Sequence, residues 1–149
     1  MESTNIVLVA KQHVELKTEP LPALPDDSLL VKTRLSQIST GTECICYRGE
    51  HEEGSHWAGW VKHPFHLGYS NVGEVVDVGA AVEGYAVGDR VFTMAHHRQY
   101  HIAKPPATKI PDSVSDESAG WSKLATIAQT GVRRAELQMG AKVAIIGSG

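Results

Sequence analysis

The period of the apolar positions divides the chain into two unequal parts. In the first hundred or so residues the apolar runs are short and bounded by turn chemistry. Ile6-Val7-Leu8-Val9 is rich in β-branched residues, and Leu29, Val31 and Leu35 alternate with Lys32, Arg34 and Ser36. Side chains two apart share one face of a strand, so residues 29–38 predict a half-buried strand. Gly73-Glu74-Val75-Val76-Asp77-Val78-Gly79 predicts another, and Gly88-Asp89 marks a turn into Arg90-Val91-Phe92-Thr93. Tyr100-His101-Ile102 and Thr108-Lys109-Ile110 predict two short strands. Pro20, Pro22 and Pro25 punctuate the gap before residue 29, and residues 49–64 read as a loop rich in Gly, His and Trp. Several strands with little helix predict a mainly β domain, a compact barrel or sandwich.

After Pro111 the period changes. Ser115 fits a helix N-cap, and Asp116 and Glu117 suit the positive end of a helix dipole. Leu124, Ile127, Ala128, Val132 and Ala135 recur at helical spacing, with Arg133 and Arg134 at the C-terminal end. Gly140 closes the connection, and Val143-Ala144-Ile145-Ile146 is a continuous apolar run of the kind found in a buried parallel strand. It leads directly into Gly147-Ser148-Gly149, the opening of the Gly-x-Gly-x-x-Gly pattern whose glycines let backbone approach a pyrophosphate at a helix N-terminus. Alone, two glycines after a strand are a common turn. The expected division is residues 1–114 and residues 115–149.

Composition narrows the function classes. A length of 149 residues fits one domain, or one domain and the start of another, and 42% apolar with 21% charged is ordinary for a globular chain. The net charge of −3 gives no general basic field for nucleic acid or an anionic membrane, so neither is an expected partner. The N-terminal residues lack a basic leader. Cys44 and Cys46, one residue apart, cannot staple a fold, which fits a reduced, cytoplasmic setting.

The order of motifs then becomes specific. Gly41-Thr42-Glu43 precedes Tyr47-Arg48-Gly49. Leu67-Gly68-Tyr69-Ser70-Asn71-Val72-Gly73-Glu74-Val75-Val76-Asp77-Val78-Gly79 follows, then Val87-Gly88-Asp89-Arg90-Val91, the helix at Leu124 to Ala135, and Val143 to Gly149. In this order they resemble the medium-chain dehydrogenase/reductase superfamily over essentially the whole chain, most closely its threonine and bacteriochlorophyllide dehydrogenase-like proteins. The resemblance implies a GroES-like β-barrel, followed by a helix and the first strand of a truncated Rossmann domain. It also implies NAD or NADP as cofactor, bound by parts of the dinucleotide fold that this chain does not supply, and hydride transfer to or from a small alcohol, carbonyl or enone. As these residues alone, the molecule is expected to be inactive, and a homo-oligomer is left open.

Zinc-dependent members place a cysteine before the Gly-Thr-Asp segment, a His-Glu pair after the second motif's glycine, and a cysteine in the entry helix. The matching positions here hold Thr40, Tyr69, Ser70 and Ser122. Zinc favours thiolate, imidazole or carboxylate, and a catalytic site needs three of them. A zinc-independent branch is expected, with no metal ligands. The eight histidines offer another reading, with His63 and His66 as one grouping, His96, His97 and His101 as a second, and Cys44 and Cys46 as soft ligands; no grouping has a closed-site spacing, so solvated loop histidines are the expectation. On a strand, Cys44 and Cys46 would face opposite sides.

Without a metal, carbonyl chemistry depends on hydrogen-bond donors and a proton carrier. The resemblance implies Thr42 as the hydroxyl that relays a proton at the substrate oxygen, against a threonine bonding its own turn. The relay's usual histidine is Ile45 here. Tyr69, where a zinc ligand would stand, is either a phenol donor or packing. Glu43 is expected to anchor its loop, with Arg48 as a partner, and His97 to reach the cleft as an acid or base or to sit in a solvated loop. The expected cofactor contacts are Thr126, Gly147 and Gly149, with a Thr126 hydroxyl bonded back to its helix as the alternative. Trp57, Trp60 and Phe65 either shape an apolar substrate pocket or pack the loop. The competing function is a free-standing GroES-like binding module without redox activity.

Overall fold

The computed structural model of the protein describes residues 1–147. β1 (Glu2–Ala10) is the middle strand of a three-stranded antiparallel sheet, between β2 (His13–Pro20) and the short β4 (Phe65–His66). β3 (Leu29–Ser36) and β5 (Asn71–Val78) lie at the centre of a five-stranded antiparallel sheet, with β6 (Arg90–Thr93), β7 (Tyr100–Ala103) and β8 (Thr108–Lys109) in the order β7-β3-β5-β6-β8. A bridge between Asn5 and Arg98 joins the two sheets. Every strand predicted before residue 111 is present. β2 and β4 are additions.

The barrel is held by Leu29, Val31, Val75, Val91 and Ala107, with Val78, Val82, Tyr85 and Ala103 packed on them. The alternation in β3 sends Leu29 and Val31 inward and leaves Lys32 and Arg34 exposed. β5 crosses β3 very closely at Gly73. A Cβ there would lie 2.7 Å from the Lys32 carbonyl oxygen and closer still to the Val31 side chain, so the central pair needs glycine.

Two helices occupy the segment expected to be strand and loop. α1 (Thr42–Arg48) has Glu43 in its first turn and Arg48 in its last, and Gly49 ends it with φ +58°. Cys44 and Cys46 therefore sit on a helix and not on a strand. Cys46 is buried with Leu8, Val61 and Leu67, and burial pushes its thiol pKa up. α2 (His56–Trp60) begins at Ser55, whose hydroxyl accepts the Ala58 N–H. Trp57 and Phe65 pack on the Cys46 cluster, and Trp60 meets Phe65 edge to face at 5.1 Å. The aromatics thus pack the loop onto the barrel.

The predicted C-terminal helix is two helices. α3 (Asp116–Gly120) starts at Ser115, whose hydroxyl accepts the Ser118 N–H, and α4 (Ser122–Arg134) continues beyond Trp121. Asp116 bonds Arg34 of β3 at 2.7 Å and Arg90 of β6 at 2.6 Å, clamping α3 to the barrel. These guanidiniums hold its carboxyl below the usual range. Residues 143–146, expected as a strand, have no ladder partner among the described residues. Ile145 and Ile146 are exposed.

Candidate active site

Thr42 opens α1, and Tyr69 follows the turn at Gly68 that leads into β5. The fold brings these distant residues together, and the Tyr69 phenol donates to Thr42 Oγ1 at 3.5 Å. That length is at the limit of a hydrogen bond, so a substrate oxygen could engage either hydroxyl without breaking a strong pair. Both residues are half-buried, and neither shift nor charge is needed for them to donate.

Ser70, the next residue, is buried and spends its hydroxyl on the Gly120 carbonyl at 2.6 Å, fastening the start of β5 to the α3–α4 junction. That bond holds Ser122 and Thr126 over a cavity of about 640 Å³ between α4 and strands β6 to β8. Thr93, His101, Lys123 and Thr126 contribute polar groups to its wall. Thr42 and Tyr69 do not line it. The Thr126 hydroxyl donates to the Ser122 carbonyl at 2.7 Å, the back-bonded alternative, while its oxygen keeps a lone pair for a ligand donor. His101 is 3% exposed; its Nε2 pairs with Thr93 Oγ1 at 2.9 Å and its Nδ1 has no partner among the described residues. Burial lowers its pKa to about 4, so the ring stays neutral at physiological pH.

His97 is not in a solvated loop. It is 4% exposed, with Nε2 2.7 Å from Glu43 Oε2 and Nδ1 2.8 Å from Ser36 Oγ. Glu43 is also buried, and its Oε1 accepts the Ser39 N–H at 2.9 Å. The anchor of Glu43 is therefore His97, in place of the expected Arg48. The only sequence hint of this pair is a carboxylate and an imidazole in motifs about fifty residues apart, which no local pattern connects. Glu43, Ser36 and Ser70 are the site-forming residues that sequence reasoning undervalued.

Some of the remaining histidines find separate partners, whereas both ring nitrogens of His51 are buried without one among the described residues. His66 pairs with Glu19 at 3.1 Å, and His96 Nδ1 lies 2.9 Å from the Gly68 carbonyl. Burial lowers the His96 pKa. Among the described residues no three His, Cys, Asp or Glu side chains converge as a metal site. At the positions that bind zinc in zinc-dependent relatives this chain has Thr40, Tyr69, Ser70 and Ser122, a set without a thiolate, imidazole or carboxylate that does not fit zinc, and Ser70 is already committed to a backbone carbonyl. Gly147 has φ +76°, as a turn glycine. Gly149, the second expected fingerprint glycine, lies outside the described residues.

Comparison with known proteins agrees with this geometry. Residues 25–105 match the alcohol dehydrogenase GroES-like domain. The chain is 29% identical over 147 residues to L-threonine 3-dehydrogenase of Pseudoalteromonas translucida, covering 75% of this chain and 40% of that protein. Among solved structures, a putative zinc-binding dehydrogenase from Sinorhizobium meliloti bound to NADP superposes with a TM-score of 0.70 at 18% identity, covering 90% of this chain and 46% of the other. A putative NADPH:quinone reductase from Bacillus thuringiensis gives a TM-score of 0.73 at 22% identity, covering 93% and 43%. The chain spans less than half the length of each of these proteins. The matched domain occupies more than half of the chain and carries both hydroxyl-bearing segments, and the protein belongs to the medium-chain dehydrogenase/reductase superfamily.

Proposed function

We propose that these residues form the substrate-binding barrel of an NAD(P)-dependent oxidoreductase that interconverts an alcohol and a carbonyl, or reduces an enone, without zinc. The observation that carries this reading is the Thr42–Tyr69 pair, two hydroxyls 3.5 Å apart at the positions of the relay hydroxyl and of a zinc ligand in the metal-dependent branch. The cofactor, when bound, supplies or accepts the hydride. The protein's part is to polarise the substrate oxygen and move its proton.

In the reducing direction Tyr69 donates its phenolic proton toward the carbonyl oxygen as negative charge develops there, and Thr42 holds the phenol in line. In the oxidising direction the alcohol proton passes to Tyr69 as the phenol's own proton leaves through the Thr42 hydroxyl to water, the reverse of the relay that reprotonates Tyr69 in reduction. The Thr126 hydroxyl and the cavity it lines beside His101 suit a nicotinamide-bearing ligand, and Gly147 and Gly149 are the candidate pyrophosphate contacts read from the sequence. These residues would meet the cofactor only at its edges.

The test is oxidation of NADH or NADPH by the full-length protein with a panel of aldehydes, ketones and enones. Turnover that falls on the order of 100-fold in Thr42→Ala and in Tyr69→Phe supports the reading. A full-length protein that binds neither cofactor overturns it in favour of a binding module.

A further inference from the structure

The His97–Glu43 pair connects the two segments that carry the hydroxyls. Glu43 follows Thr42 in the first turn of α1, so whatever fixes its carboxylate fixes the start of that helix. His97 is itself fixed at three levels. Its backbone N–H donates to the Leu67 carbonyl at 2.8 Å, its carbonyl accepts the Ile6 N–H at 2.9 Å, and its ring rests on Gly68. A Cβ on Gly68, which has φ +100°, would lie 2.7 Å from the His97 nitrogen and 2.9 Å from its Cγ. The turn that leads to Tyr69 is therefore moulded to His97, and the helix that begins with Thr42 is tied to the same ring.

Hydrogen bonding and burial together argue for a structural part for the pair in this arrangement. Glu43 spends Oε1 on Ser39 and Oε2 on His97, and the ring spends both nitrogens on Glu43 and Ser36. A carboxylate only accepts, so against a Glu43 carboxylate the ring's Nε2 carries a proton, and Nδ1 pairs with the Ser36 hydroxyl, which can serve as donor or acceptor. Each polar atom of the pair is bonded within the protein and the two side chains are only 4% and 7% exposed, which keeps them from a substrate.

We propose that His97, acting through Glu43, is a positioning residue that sets the separation of the Thr42 and Tyr69 hydroxyls. This rests on the reading above, in which those hydroxyls serve the substrate oxygen. The link that matters is the one to Glu43, and the Ser36 contact only orients the ring.

Two isosteric variants separate these links. His97→Gln places an amide near Nε2, retaining a donor for Glu43 and abandoning Ser36. His97→Asn places one near Nδ1, retaining Ser36 and abandoning Glu43. Crystal structures and steady-state kinetics of both, in the full-length protein, test the proposal. His97→Gln is expected to keep the hydroxyls near 3.5 Å and most of the activity. His97→Asn is expected to separate them and to lower kcat on the order of 100-fold with little change in KM, as a misplacement of about 1 Å does. The double variant of His97→Asn with Thr42→Ala is expected to be no slower than Thr42→Ala alone. Unmoved hydroxyls in His97→Asn, or additive losses in the double variant, overturn the proposal. A wild-type protein without hydride transfer refutes the proposed function instead, and the crystallographic separation then decides positioning by itself.

Discussion

The barrel and the α4 region use the same apolar residue types with opposite results. Leu8, Leu29, Val31, Val75 and Val91 are fully buried, and the hydroxyl pair is cross-tied from below by His97 and Glu43. α4 buries no side chain among its thirteen residues, although its apolar positions recur at helical spacing. Ile127 and Val132 are more than half exposed, and Ile146 is 97% exposed. Amphipathic spacing records an intended partner, and burial shows whether the described residues provide one. The barrel supplies its own partner surfaces. Residues 122–147 do not.

This contrast predicts a gradient of stability effects. Leu29→Ala, which empties the centre of the barrel, should cost about 4 kcal/mol in urea unfolding. A loss below about 1 kcal/mol would mean the barrel is not the stability core.

Acid should act next. His101 is neutral and buried with a folded pKa of about 4 against an ordinary 6.5. The unfolded chain binds a proton between these values while the folded one does not, so stability falls as pH drops through that window and then levels off. The shift corresponds to about 3 kcal/mol at most. Urea midpoints at pH 7 and pH 4.5 should differ strongly in the wild type, and His101→Gln should flatten that dependence. An unchanged slope in the variant would assign the acid sensitivity elsewhere.

The Asp116 clamp is smaller because Arg34 is partly exposed. Asp116→Asn should cost about 1 kcal/mol at neutral pH. Its depressed carboxyl contributes stability above the unfolded carboxylate pKa and loses it as pH falls through the folded value, so the variant and wild type should converge in strong acid. On α4, Ile127→Ala should change stability by less than about 0.5 kcal/mol in this chain. In the full-length protein the same substitution should cost several times more if α4 is covered there.

Legibility in the sequence followed the same division. Strands with one buried face were readable because period-two alternation is written into them, as at Leu29, Val31 and Leu35. β2 was not, since it is paired only with β1 and exposes Val14 and Leu16. α1 was missed although Gly41 and Gly49 bracket it and Glu43 and Arg48 suit its ends. Seven residues are too few for an amphipathic period to show. Thr42 and Tyr69 were readable only as motif positions. Their meeting depends on a glycine turn, and the Ser36–His97–Glu43 chain depends on three elements folding together, which no linear spacing encodes.

The central claim is that a pair of hydroxyls does what zinc does elsewhere in the superfamily. The most direct measurement is the rate of nicotinamide-dependent carbonyl reduction by the full-length protein before and after exhaustive removal of metals by chelation. An unchanged rate that still depends on Thr42 and Tyr69 is the predicted result. A rate abolished by chelation and restored by stoichiometric zinc would contradict it.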